Sequence, residues 1–272
     1  MIYTLTMNPS LDYVMEVDKI NIGGVNRSHV QRVTASGKGV NVSRALKAQG
    51  IVSRAICIVG DGFAGREFTR LLKTEGFDSV IVASEGCDTR INVKLRSQAV
   101  TEINGDFTAD EMSLAAMTMM LAGLKQGDFL IISGSIPKGV PARIYAALSA
   151  ELTLKGVTVA VDTSGDALRE VVLNKSAWLI APNEHELAQI AEMFPKLENM
   201  NILASYGESG ATLTTADGAV YTSKPARTAQ NGYTVGAGDV LLAGFVASFI
   251  KSNDYEKSLA AGVNAATEYV CK

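Results

Sequence analysis

The chain has 272 residues, 47% of them hydrophobic, and a mean hydropathy of +0.15, enough apolar material to bury a large core. A formal net charge of -3 and a pI near 5.5 argue against a general binder of nucleic acid or of a membrane surface, because neither polyanion is drawn to an acidic average surface. Three cysteines without paired spacing (Cys57, Cys87, Cys271) and two histidines (His29, His185) argue against a disulfide framework, a zinc knuckle or a Ser-His-Asp triad, and read as the reduced thiols of a cytoplasmic protein.

From the N-terminus, residues 2–7 read as a strand rather than as a signal peptide, since no basic segment precedes an apolar one. Asn8-Pro9-Ser10-Leu11-Asp12 follows, placing Asp12 just past the carboxyl end of that strand, where a parallel sheet carries its ligand crevice and a carboxylate can accept sugar hydroxyls. Residues 13–33 and 89–103 alternate polar and apolar side chains, the pattern of a sheet with one wet face. They predict a small β lid or, as an alternative, antiparallel strands at the edge of the main sheet.

Gly37-Lys38-Gly39-Val40-Asn41 leads into a helix at 42–49, stopped at Gly50, and can offer hydrogen bonds to a sugar and charge to a phosphate. It is not a P-loop, because Gly39 stands where that motif needs Ser or Thr. A strand at 55–59 then meets Gly60-Asp61-Gly62-Phe63-Ala64-Gly65, a match to the dinucleotide fingerprint with Glu85 about twenty residues on. Asp61 inside that loop would repel pyrophosphate, so a tight strand-to-helix turn is the preferred reading.

Helices at 65–74, 109–124, 142–155 and 184–193 alternate with strands at 129–133, 157–161, 178–181 and 202–205. This βαβ rhythm predicts a mostly parallel sheet with helices on both faces. Asn183 and Glu186, three apart at a helix start, suit either a capping box or the ordering of water and magnesium near phosphates. Arg27, Lys38, Arg90 and Lys94 are candidates for a phosphate clamp. The apolar run 240–250 is too short to span a bilayer.

Gly236-Ala237-Gly238-Asp239 opens the helical run that begins at Val240. Such a loop aims backbone N–H groups and the positive helix end at one point, where an anion can settle beside the carboxylate of Asp239. Taken alone, a Gly-rich turn with Asp239 as helix cap is the preferred reading.

In order, Asn8-Pro9-Ser10-Leu11-Asp12, Gly37-Lys38-Gly39-Val40-Asn41-Val42, Thr89-Arg90, Ser133-Gly134-Ser135-Ile136-Pro137, Asp162-Thr163-Ser164-Gly165, Pro182-Asn183-Glu184-His185-Glu186 and Val235-Gly236-Ala237-Gly238-Asp239 resemble the ribokinase-like (PfkB) sugar kinases. More closely they resemble the branch holding 1-phosphofructokinase and tagatose-6-phosphate kinase. The resemblance implies one ribokinase-like α/β domain over residues 1–272, a β lid that often forms a dimer contact, and transfer from ATP with Mg2+ to a ketohexose phosphate. Fructose 1-phosphate is the first substrate it suggests and tagatose 6-phosphate the second; a non-catalytic sugar-phosphate sensor is the rival from another class.

By the same resemblance Asp239 is the catalytic base, and the amides of Gly236, Ala237 and Gly238 form the anion hole. Asp12, Gly37, Lys38, Gly39, Asn41 and Ser135 belong to the sugar side, and Arg27 and Arg90 hold its existing phosphate. Asn183, Ser205, Gly207, Gly236 and Gly238 line the nucleotide, with Glu186 an indirect metal contact. Two departures stand out: Ala181 occupies a position where that branch usually has lysine, and no strand follows the helix at 260–269, so a reduced adenine pocket is expected.

Overall fold

Segments such as Ile-Tyr-Thr-Leu-Thr and Phe-Leu-Ile-Ile-Ser carry apolar residues in both alternating positions, so their strands require cover on two sides. The computed structural model describes residues 1–76, 78–193, 197, 200–228 and 234–271, and supplies that cover with helices on both faces of a long sheet. The described strands are β1 (Ile2–Thr6), β2 (Ser10–Glu16), β3 (Val30–Ser36), β4 (Ser53–Gly60), β5 (Asp78–Ser84), β6 (Arg90–Arg96), β7 (Val100–Asn104), β8 (Phe129–Ser133), β9 (Thr158–Asp162), β10 (Leu179–Ile180), β11 (Asn201–Ser205), β12 (Ala211–Thr214) and β13 (Val220–Ser223). The helices are α1 (Lys38–Ala48), α2 (Phe63–Thr74), α3 (Glu111–Ala122), α4 (Ile144–Leu154), α5 (Gly165–Asn174), α6 (Glu184–Gln189), α7 (Ala237–Ser252) and α8 (Tyr255–Val270).

The main sheet runs β13-β12-β11-β10-β9-β8-β1-β4-β5, parallel except where β12 and β13 turn back at one edge. Alternation along each strand divides the core. Leu130 and Ile132 of β8 join Val159 and Val161 of β9 beneath α3, α4 and α5, while Ile131 and Ala160 face α1, α7 and α8. On the second side the Trp178 ring sits 4.8 Å from that of Phe249, which stacks on Tyr255 at 4.8 Å, tying α7 and α8 to the sheet.

The alternating segments form a separate four-stranded sheet, β3-β2-β6-β7, rather than an edge of the main one. Its apolar residues Leu11 and Ala35 pack with Phe68 and Leu72 of α2, which leaves the polar face of β2 and β6 turned toward the mouth of the main sheet. Asp12 is therefore a residue of the lid sheet, and from there it lines the crevice expected beyond the strand before it. The register sets Asp12 opposite Asn92 and Val14 opposite Lys94.

Several boundaries differ from the sequence expectation. The helix expected at 42–49 begins four residues earlier, at Lys38, so Gly37 is its N-cap and Gly39 lies in its first turn. The helix expected at 184–193 ends at Gln189 and continues only as a 3-10 turn, Ala191–Met193. Strand β5, helix α5 and the β12–β13 hairpin were not anticipated.

Candidate active site

The carboxyl ends of a parallel sheet, the lid and the start of α7 enclose one cavity of about 750 Å3, ample for a nucleotide and a small sugar together. Gly236 makes this possible at its centre. It adopts φ +87, a left-handed conformation suited to glycine, and a Cβ there would lie 3.0 Å from the Tyr269 hydroxyl. The chain turns sharply into α7 and delivers Asp239 in its first turn, 5% exposed.

Asp239 is held by Asn41, whose Nδ2 donates to its Oδ2 at 2.8 Å. Burial pushes the Asp239 carboxyl up to about 7, and the neighbouring charge of Asp162 adds to the rise; the Asn41 hydrogen bond, Lys38 and Lys94 oppose it. A carboxylate balanced near neutrality is suited to accept a proton at physiological pH.

Lys38, one turn before Asn41 on α1, places Nζ 2.9 Å from Asp162 Oδ1 and 3.8 Å from Glu186 Oε1. Burial alone would lower its proton affinity, but Asp162, Glu186 and Asp239 together raise it above that of an ordinary lysine. It is a fixed cation beside the Asp239 carboxyl. Asn183 and Glu186 form the reciprocal capping box of α6: Glu186 N–H donates to Asn183 Oδ1 and Asn183 N–H to Glu186 Oε2, each at 2.9 Å. The same Glu186 keeps its second oxygen toward Lys38, so cap and site contact coexist.

Under the lid, Asp12 accepts from Ser10 Oγ at 2.6 Å and from Asn92 Nδ2 at 3.2 Å, and pairs with Lys94 Nζ at 2.8 Å. Lys94, read from sequence as a phosphate clamp, is thus already engaged by the acid it faces. Arg90 lines the same cavity and donates to the carbonyls of Asn8 and Pro9 at 2.9 and 3.4 Å; burial lowers its proton affinity, opposed by Asp12 and Asp106. Ser205, Gly207 and Ala181 line the opposite half, together with Arg227.

Not every expected site residue reaches the cavity. Arg27 is exposed in the β2–β3 connection, outside the cavity wall. Ser135 accepts from Asn8 Nδ2 at 2.9 Å, also outside that wall. Gly39 is a packing glycine: a Cβ there would meet Thr6 Oγ1 at 2.5 Å and the Leu5 carbonyl at 2.8 Å, so its role is to let α1 approach β1. The Ala237 amide already donates to Thr234 O at 3.0 Å. The sequence motif Asp162-Thr163-Ser164-Gly165 assigns Asp162 no role, and its place at the end of β9 is the signal that points to the site.

The Gly60–Gly65 turn is closed to a dinucleotide. The amides of Ala64 and Gly65 that would meet pyrophosphate donate to Asp88 at 3.1 and 2.9 Å. Among the described residues no three His, Cys, Asp or Glu side chains gather as a metal cage, and no helix is long and apolar enough to cross a membrane.

A carboxyl group poised near neutrality, beside a fixed cation and a helix N-terminus, has the means to deprotonate a hydroxyl while stabilising an anion. With a mostly parallel sheet and a β lid around it, that chemistry defines a ribokinase-like phosphotransferase with an alcohol as acceptor. The chain belongs to the pfkB family of carbohydrate kinases, whose family model matches residues 5–272. It is 34% identical over 280 residues to the 1-phosphofructokinase of Bacillus subtilis, covering 97% of this chain and 91% of the relative. It is 33% identical over 260 residues to the D-tagatose-1-phosphate kinase of Bacillus licheniformis, covering 90% and 84%. The tetrameric inhibited form of phosphofructokinase-2 from Escherichia coli superposes with a TM-score of 0.88 at 25% identity, covering 99% of this chain and 93% of that one.

Proposed function

We propose that this kinase moves the γ-phosphoryl group of ATP to the free terminal hydroxyl of a ketohexose phosphorylated at C1, converting fructose 1-phosphate to fructose 1,6-bisphosphate. The observation that carries this reading is Asp239, buried at the start of α7 with its proton affinity raised to about 7 and Asn41 and Lys38 around it. In this reading Asp239 takes the proton of the attacking hydroxyl, while the Gly236–Gly238 turn and Lys38 stabilise the transferring group. Asp12, Gly37, Asn41 and Arg90 hold the sugar phosphate under the lid. Ser205 and Gly207 flank the nucleotide.

Mg2+ keeps several waters and is held largely by phosphate oxygens, so it needs few ligands from the protein. Glu186, with one oxygen in the capping box and the other turned to the cavity, is placed to receive such a water. The ion would neutralise charge on the phosphates. The assignment of C1 is supported by the Bacillus licheniformis relative, which is named for a tagatose 1-phosphate substrate. Tagatose 1-phosphate is therefore the second reading, ahead of tagatose 6-phosphate.

We further infer that residues 1–272 act as one cytoplasmic kinase domain and that the lid sheet joins two copies in a homodimer. Coupled ADP release with ATP and Mg2+, on fructose 1-phosphate, tagatose 1-phosphate, tagatose 6-phosphate and fructose 6-phosphate in parallel, tests the substrate. Preference for a 6-phosphate would overturn the reading.

A further inference from the structure

Asn41 carries two chemically opposite ends on one carboxamide, and only the NH2 end can donate to Asp239. The other end is occupied: Asn41 Oδ1 accepts from Arg44 Nη1 at 2.8 Å. Arg44 does not line the cavity. Its guanidinium is itself pinned, by Glu75 through Nε at 2.6 Å and Nη2 at 2.7 Å, and by the Ala35 carbonyl at 2.9 Å from Nη2. Glu75 is the C-cap of α2, and Ala35 lies near the end of lid strand β3.

We propose that Arg44 is a positioning residue for phosphoryl transfer, fixing which end of the Asn41 carboxamide faces Asp239 and so orienting the base. A guanidinium can only donate, so the end of Asn41 that meets it must be the oxygen. The NH2 is thereby committed to Asp239. With Arg44 removed, nothing on this side distinguishes the two orientations, and in one of them the carboxamide oxygen faces the carboxylate and repels it. Arg44 acts at a distance through one intermediary, as supporting contacts around catalytic groups do.

The other charges facing Asp239 stay in place when Arg44 is changed: Lys38 from α1, Asp162 from β9 and Lys94 from lid strand β6, with Glu186 opposite Lys38. The Asn41 hydrogen bond is one of the influences that lower the proton affinity of Asp239. Its loss therefore moves the base upward.

The inference rests on Asp239 being the base, so Asp239→Asn is measured beside the variants. Arg44→Met is expected to lower kcat about tenfold or more with KM for ATP unchanged, and to move the acid limb of the kcat/KM profile upward by about half a pH unit. Arg44→Lys keeps a cation for Glu75 without the fork, and is expected to fold and give the same upward shift. Lys47→Met loosens the same α1–α2 junction, where Lys47 Nζ donates to the Gly76 carbonyl at 3.0 Å, without touching Asn41. It should lower stability and leave the limb where it is.

An unmoved acid limb in both Arg44 variants overturns the proposal while Asp239→Asn remains inactive. Turnover by Asp239→Asn at the wild-type rate instead overturns the reading of the base. A limb that moves equally in Lys47→Met would assign the effect to the helix junction and contradict a specific role for Arg44.

Discussion

Lys38 and Asp162 stand 124 positions apart in the chain, yet Lys38 Nζ meets Asp162 Oδ1 at 2.9 Å at the carboxyl end of β9. The pair shapes the electrostatics of the cavity: Asp162 anchors the Lys38 cation and adds its own negative charge to the field at Asp239. Lys38→Met should therefore leave a folded protein with kcat reduced by about 100-fold or more, as expected when a preorganised positive group is lost from a transition state. Steady-state kinetics at saturating substrate check this, and a kcat within twofold of wild type would remove Lys38 from the chemistry.

The pH dependence of stability follows from Asp239. Its carboxyl holds a proton to about pH 7 when folded, against an ordinary value of 3.8. The folded state thus binds the proton more tightly, and this contribution is present below 3.8 and lost as pH rises through 7. Asp239→Asn should be more stable than wild type at pH 8, by at least about 1 kcal/mol, with the difference shrinking toward pH 4. Urea titrations at the two pH values measure it; a variant less stable than wild type at pH 8 would contradict the burial of an ionising group.

Lys94 and Asp12 form a pair with side chains only 12% and 5% exposed. Lys94→Met strands a buried carboxylate and should cost about 3 kcal/mol of stability. Adding Asp12→Asn should recover part of that loss. Chemical denaturation of the double variant and of both single variants tests the coupling, and simple additivity would show that the ion pair is not what holds the lid strands β2 and β6 in register here.

Gly236→Ala should cost about 1 kcal/mol or more, because alanine disfavours φ +87 and its methyl would press on the Tyr269 hydroxyl. The same change tilts the first turn of α7, so turnover should fall more steeply than stability. Thermal unfolding and kcat measured on one preparation separate the two effects.

Much of the architecture could be read directly from the chain. The strands at 2–7, 55–59 and 129–133 are apolar in both parities, and such runs have few uses outside a buried parallel sheet. Strand β5 escaped notice because it lies at the sheet edge, half-exposed, with Asp78 and two serines diluting its pattern. The start of helix α1 is hidden in the sequence because glycines ordinarily signal loop; here Gly39 is small enough for α1 to touch β1.

The site divides in the same way. Asp239, Asn41, Lys38 and Glu186 are legible because each lies within a turn of a helix start, where local sequence dictates direction. What Lys94 and Arg27 do depends on lid register and on a connection between strands, which local spacing does not encode. Arg44 has no motif at all, since its partners Glu75, Ala35 and Asn41 come together only through tertiary packing.

The most direct test of the account is the rate of ADP release from ATP and Mg2+ with fructose 1-phosphate, compared between the wild-type protein and Asp239→Asn. Turnover by the wild type and a loss of about 1000-fold in the folded variant are expected, the scale of removing a positioned base. Equal rates in the two proteins, or no turnover of this sugar by the folded wild type, would contradict it.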